Sequence, residues 1–135
     1  MKYLLILQGA ESEELSSTTI TPEQAAAMME PWDRFTAEVV ESGAFVAGEG
    51  LYPSATATTV RHQEDGNRIV SDGPFAETKE QIGGFYLLEC ADLDEALNWA
   101  KKVPVRPGNA VEVRPVLNFD QLGSGEQQAA SRAAG

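Results

Sequence analysis

Two unbroken apolar runs limit what this chain can fold into. Residues 2–8 read KYLLILQ and residues 85–90 read FYLLEC. Each has the length of a strand and neither alternates with polar residues. That pattern predicts two central strands of one sheet, buried on both faces. The run Tyr3 to Leu7 is too short for the hydrophobic core of a secretion signal or for a membrane span. A long helical segment separates the runs. Thr21-Pro22-Glu23-Gln24 has the form of a capping box, with Thr21 at the N-cap, Pro22 at N1 and Gln24 at N3. Ala25, Met28, Trp32, Phe35 and Val39 follow at spacings of three and four, one stripe of a helix, and Gly43 supplies the stop. Pro31 removes a backbone donor inside this pattern, and because the stripe stays in phase across it a kink is expected.

The remaining elements follow from turn and edge signals. Residues 44–48 are strand-like. Thr56 to Arg61 and Arg68 to Ser71 flank Glu64-Asp65-Gly66-Asn67, a hairpin signal. After the second apolar run, Asp92 to Glu95 cap a helix whose expected apolar face is Leu93, Ala96, Leu97, Ala100 and Val103, and Pro104 ends it. The last strand runs from Ala110 to Leu117, and Pro115 marks it as an edge. The order predicts an α+β, ferredoxin-like split βαβ arrangement with an inserted hairpin. Two helices would cover one sheet face. The other, left open, invites a second sheet, so a twofold homodimer is expected.

Composition narrows the classes. A chain of 135 residues fits one domain. We expect it over residues 1–119, with residues 120–135, small and polar, as a flexible tail. The net charge of −11 argues against a duplex nucleic-acid binder, which needs clustered Lys and Arg. Residues 1–50 hold nine acids against two bases, so the acidity is concentrated in the first half. A single cysteine, Cys90, permits no internal disulfide and points to the cytoplasm.

The densest polar stretch is Ser71-Asp72-Gly73-Pro74-Phe75-Ala76-Glu77-Thr78-Lys79-Glu80. Asp72-Gly73-Pro74 makes a turn, with Phe75 expected to anchor it to the core. Asp72 and Glu77 are the acid–base candidates, Asp72 fixing the loop, and Lys79 is a candidate anion contact. A solvated loop with a Glu77–Lys79 pair is the competing reading. Glu49, between Gly48 and Gly50, has room for a ligand, although a strand bend explains those glycines equally well. His62, the only imidazole, is expected on an exposed strand, and Cys90 as a packed thiol. Trp32, Trp99 and Tyr86 belong to core or interface. Arg114 either clamps an anion or pairs across the sheet. Nucleotide-binding, zinc and nucleophile-elbow signatures are absent, so no metal and no cofactor is expected.

The stretch from Asp72 to Glu80, with Gly83-Gly84-Phe85-Tyr86, resembles the DGPF branch of the YCII-related family. Gly48-Glu49-Gly50-Leu51, Ala55 to Arg61, Asp94-Glu95-Ala96 and Val111 to Pro115 are similar to that family too. The resemblance implies a ferredoxin-like subunit in a dimeric α+β barrel. The best-known branch carries a histidine on the first helix and an aspartate before the proline after the second helix. Trp32 and Val103 stand at those positions here. An indole and an isopropyl group transfer no protons, so that pair is not carried over. Members of the branch are also similar to proteins found beside extracytoplasmic-function sigma factors. The expected function is thus a cytoplasmic small-molecule-binding homodimer whose cleft is bordered by Glu49, Asp72, Glu77 and Lys79. It acts either by binding alone or as an enzyme of hydrolase or isomerase type. The alternative is a non-catalytic partner of a sigma factor, using the acidic first helix.

Overall fold

A computed structural model describes residues 1–11, 20–76 and 80–121. Among these residues six strands and two α-helices follow in the order β1 (Lys2–Gly9), α1 (Pro22–Ser42), β2 (Phe45–Gly50), β3 (Thr58–His62), β4 (Arg68–Asp72), β5 (Gln81–Glu89), α2 (Leu93–Lys102) and β6 (Ala110–Pro115). Short 3-10 turns lie at Ser54–Thr56 and Phe119–Gln121. Four strands form an antiparallel sheet in the order β2-β5-β1-β6. β5 separates β1 from β2, and β1 separates β5 from β6, as two interleaved βαβ units require. The fold is α+β, with both apolar runs at the centre of the sheet and the proline strand at an edge.

The first helix starts as its residues dictate. Thr21 Oγ1 accepts from Gln24 N at 3.1 Å, and Gln24 Oε1 accepts from Thr21 N at 2.9 Å. Gly43 closes it in the left-handed conformation, φ 84°. The helix runs unbroken through Pro31. Only the backbone bond to the Ala27 carbonyl is forfeited there, and packing of the stripe on the sheet outweighs that loss. Helix α2 opens on Asp92, whose carboxylate accepts from Glu95 N at 2.9 Å, while Glu95 accepts from Ala91 N at 2.6 Å. Its last turn carries Lys101 and Lys102, which suits the dipole.

Tyr3 and Leu5 of β1, Tyr86 and Leu88 of β5, Phe35 and Val39 of α1, and Ala96 of α2 with Val103 at its C-cap make one core. Phe35 meets the rings of Tyr86 and Trp99 edge-on, at centroid distances of 5.2 and 6.2 Å. Tyr86 keeps its hydroxyl satisfied 2.8 Å from Thr36 Oγ1. The expectation that β1 and β5 are buried on both faces is corrected. Both helices pack on the face of Tyr3, Leu5, Tyr86 and Leu88, whereas Leu4, Ile6, Phe85 and Leu87 on the opposite face are only half-buried. Apolar runs here mark a sheet with one side covered by both helices and one apolar side left open by the described elements. The apolar face expected of α2 is corrected as well. Leu93 and Leu97 are exposed, and Trp99 packs against the core.

The hairpin forms a separate two-stranded sheet, β3–β4, in the register Val60 opposite Val70. Asp65 accepts from Asn67 N at 2.9 Å, and Gly66 takes φ 89°, so the Asp-Gly turn forms as read. Phe75 does not anchor its loop to the core. It is 71% exposed and lies beneath the Arg61 guanidinium, 4.9 Å from the ring centroid. The expected tail, residues 120–135, falls outside the described residues except at its first two positions. Among the described residues no helix is long and apolar enough to cross a membrane.

Leu5, Leu88 and Val39 are the largest fully buried side chains. Truncating Leu88 to alanine should therefore cost about 3 kcal/mol of unfolding free energy. Urea denaturation measures it, and a loss below about 1 kcal/mol would show that the core is not centred there.

Candidate functional site

The cavity of interest opens where β1 ends. Its volume is about 400 Å³, and it lies between the end of the sheet, the N-terminal half of α1 and the segment after α2. Leu7, Met28, Pro31, Trp32, Leu51 and Val105 supply apolar wall, while Gln8, Glu11, Gln81, Arg106 and Asn109 bring polar groups. Ala27, whose carbonyl loses its helical donor at Pro31, also lines it.

Local chemistry builds each wall. At the end of the sheet the β1–β5 ladder slips. Leu7 faces Gly84 but Gln8 faces Ile82, which leaves Gly83 as the unpaired bulge residue on the cavity side. The Gly83 carbonyl accepts instead from Leu51 N at 2.9 Å, tying the end of β2 to the cavity rim. After α2, Arg106-Pro107-Gly108-Asn109 turns the chain into β6. Asn109 N donates to the Arg106 carbonyl at 3.0 Å, and Gly108 takes φ 92°. That turn lays the Asn109 carboxamide directly over Gly9, where a Cβ would overlap it. Gly9 is thus a glycine because another side chain uses its space. Glu11 holds the far rim: Oε1 accepts from Ser54 N, and Oε2 accepts from Ser54 Oγ at 2.9 Å. Gln8 Nε2 donates to Glu112 Oε1 of β6 at 3.5 Å.

The residues expected to carry chemistry are dispersed. Glu49 is exposed on edge strand β2 opposite Phe85, and Asp72 is exposed at the end of β4, opposite Thr58. Neither lines the cavity. Glu77 and Lys79 lie outside the described residues. The glycine before Glu49 has a packing cause, since a Cβ on Gly48 would stand 2.9 Å from the Tyr86 ring. Trp32, expected in core or interface, packs partly on the core and partly walls the cavity. Val103 is buried in the core, next to Pro104 and Val105 on the lining. His62 is exposed and its Nδ1 accepts from Arg68 Nε at 3.4 Å. Arg114 bonds Glu112 on its own strand rather than across the sheet. On the acidic first helix, Glu30 bonds Arg34, and Glu38 bonds Lys102 at 2.9 Å. Asn109, Gly9 and Glu11 belong to no motif of the sequence. Pro107-Gly108-Asn109 is a readable turn signal, but nothing local pairs Glu11 with Ser54.

Cys90 is buried at the end of β5. Burial pushes its thiol above the ordinary value, and the Glu95 carboxylate adds to the rise. A thiol held neutral in this way is a packing group rather than a nucleophile.

The family model of the YCII-related domain matches residues 1–120. An uncharacterized protein of Rhizobium meliloti (strain 1021) is 39% identical over 110 residues, which cover 80% of this chain and 88% of that protein. The chain belongs to the YCII-related family.

The Cys90 shift sets a pH dependence. The folded thiol ionises later than the unfolded one, so its stabilising contribution is complete below the unfolded value. It is lost as pH rises from the ordinary 9.0 towards the folded value. Urea midpoints of the wild type should therefore fall more steeply above that pH than those of Cys90→Ala. Parallel profiles would exclude the linkage.

Proposed function

We propose that this chain is a small-molecule-binding protein that works as a homodimer. Its ligand sits in the cavity beneath α1 and is flat and largely apolar, with one polar end. The observation that carries the reading is the composition of the lining. An indole, a thioether and aliphatic side chains form most of the wall, and the Asn109 carboxamide, laid over Gly9, is among the few polar groups of the lining. A carboxamide both donates and accepts, so it suits an amide or lactam edge as well as a hydroxyl.

The same lining favours binding over proton transfer. Among the described residues lining the cavity there is no imidazole and no thiol, and the single carboxylate, Glu11, has both oxygens engaged by Ser54. Dimerisation is supported by the open sheet face, where Leu4, Ile6, Phe85 and Leu87 form a half-buried apolar patch on the side away from both described helices.

Benzamide and benzoate are suitable probes, equal in shape and different in charge. In ¹⁵N-correlated spectra benzamide should shift the Trp32 indole and Asn109 side-chain signals, and Asn109→Leu should weaken it about tenfold. Stronger binding of benzoate would redirect the polar end to Arg106. If neither probe moved the two signals at saturating concentration, the cavity would not be the ligand site.

A further inference from the structure

The proline inside α1 leaves a chemical mark on the cavity. Ala27, Met28, Pro31 and Trp32 line it together, and residues at those spacings share one face of a helix. A helical carbonyl points along the axis towards the amide four residues on, so the Ala27 carbonyl lies between Ala27 and Pro31 on that same face. Pro31 has no N–H to give it, and the pyrrolidine ring fills the place of one. No loop amide or side chain among the described residues donates to it instead. Ala27 is exposed, so water can serve the carbonyl until a ligand covers it.

Covering that oxygen discriminates between ligands. An acceptor taken from water without a new donor is penalised, whereas one that meets a donor loses little. Asn109 both donates and accepts, so it tolerates either polarity in a ligand, but a carbonyl only accepts. A carboxylate therefore has nothing to offer at this point. An ion of either sign would also give up its hydration to the largely apolar wall of Leu7, Met28, Trp32 and Val105, so a neutral donor fits best.

We propose that the Ala27 carbonyl, freed by Pro31, is a specificity determinant of the cavity and selects ligands that present an uncharged N–H or O–H to the face of α1. The ligand class narrows accordingly to flat, largely apolar molecules with a neutral donor, such as a primary amide, an arylamine or a phenol. The inference rests on the ligand site proposed above and adds the group on α1 that reads the donor. A proline in a helix interior costs stability, and an alanine at position 31 would restore the missing bond.

Benzamide and acetophenone share a shape and a carbonyl, but only benzamide carries N–H donors. Titrations of the full chain, followed by the Trp32 indole signal, should show benzamide binding about tenfold more tightly. Pro31→Ala supplies an N–H to the Ala27 carbonyl, so it should raise the thermal midpoint and cut that preference about fivefold or more. Taking the ratio of the two affinities cancels the loss of the proline ring from the wall. Equal affinities in the wild type, or a preference unchanged in the variant, would overturn the inference and leave the ligand site standing. If neither probe moved the Trp32 signal at saturation, the site and this inference would fall together. Should the variant fail to fold, the wild type decides. Benzamide should move the Ala27 carbonyl ¹³C signal downfield and acetophenone should not. An Ala27 signal indifferent to bound benzamide would overturn the inference.

Discussion

The antiparallel pairing of β1 with β5 is the constraint on which the rest depends. It runs from Lys2 opposite Glu89 to Gly9 opposite Gln81, and it joins residues about eighty positions apart in sequence. Every other strand of the large sheet attaches to one of these two, β6 to β1 and β2 to β5. Both helices then pack on the face that Leu5 and Leu88 define. Because side chains alternate in a strand, a slip of one residue would turn Leu5 and Leu88 outward together. The cavity inherits its position from the same ladder, since it opens where the register finally slips at Gly83.

Legibility in the sequence followed the range of the interaction. The capping box at Thr21, the stop at Gly43, the Asp92 cap and the Asp65-Gly66 turn are each encoded within a few residues, and each forms as the residues indicate. The edge position of β6 followed from Pro115 alone. What the sequence hid was non-local. An apolar run cannot distinguish a strand covered on both sides from one with an uncovered apolar side, so Leu4, Ile6, Phe85 and Leu87 looked like core. Phe75 looked like an anchor because burial is the usual fate of a phenylalanine, but its ring lies against Arg61 instead.

The candidate site shows the same division. Attention to dense charge pointed to the loop after β4, because carboxylates and lysines are what a sequence displays most openly. The cavity is made of less conspicuous parts: a proline that leaves a helical carbonyl without a donor, a glycine overlain by an asparagine, and a glutamate held by a serine from a distant segment. None of these is a motif, and their meaning arises only when β1, α1 and the turn after α2 converge. Trp32 links the two descriptions, since the helical stripe identified it and the cavity wall uses it.

The bulge at Gly83 has a mechanical consequence. An unpaired residue at the end of a ladder lowers the work of opening that end, while the fully buried Leu5–Leu88 region stays closed. The sheet can therefore fray beside the cavity without loosening its centre. Opening of the rim and permanence of the fold are governed by different hydrogen bonds, so for the ligand proposed above substitutions at the rim would change the rates of entry and exit at little cost to the chain's resistance to unfolding.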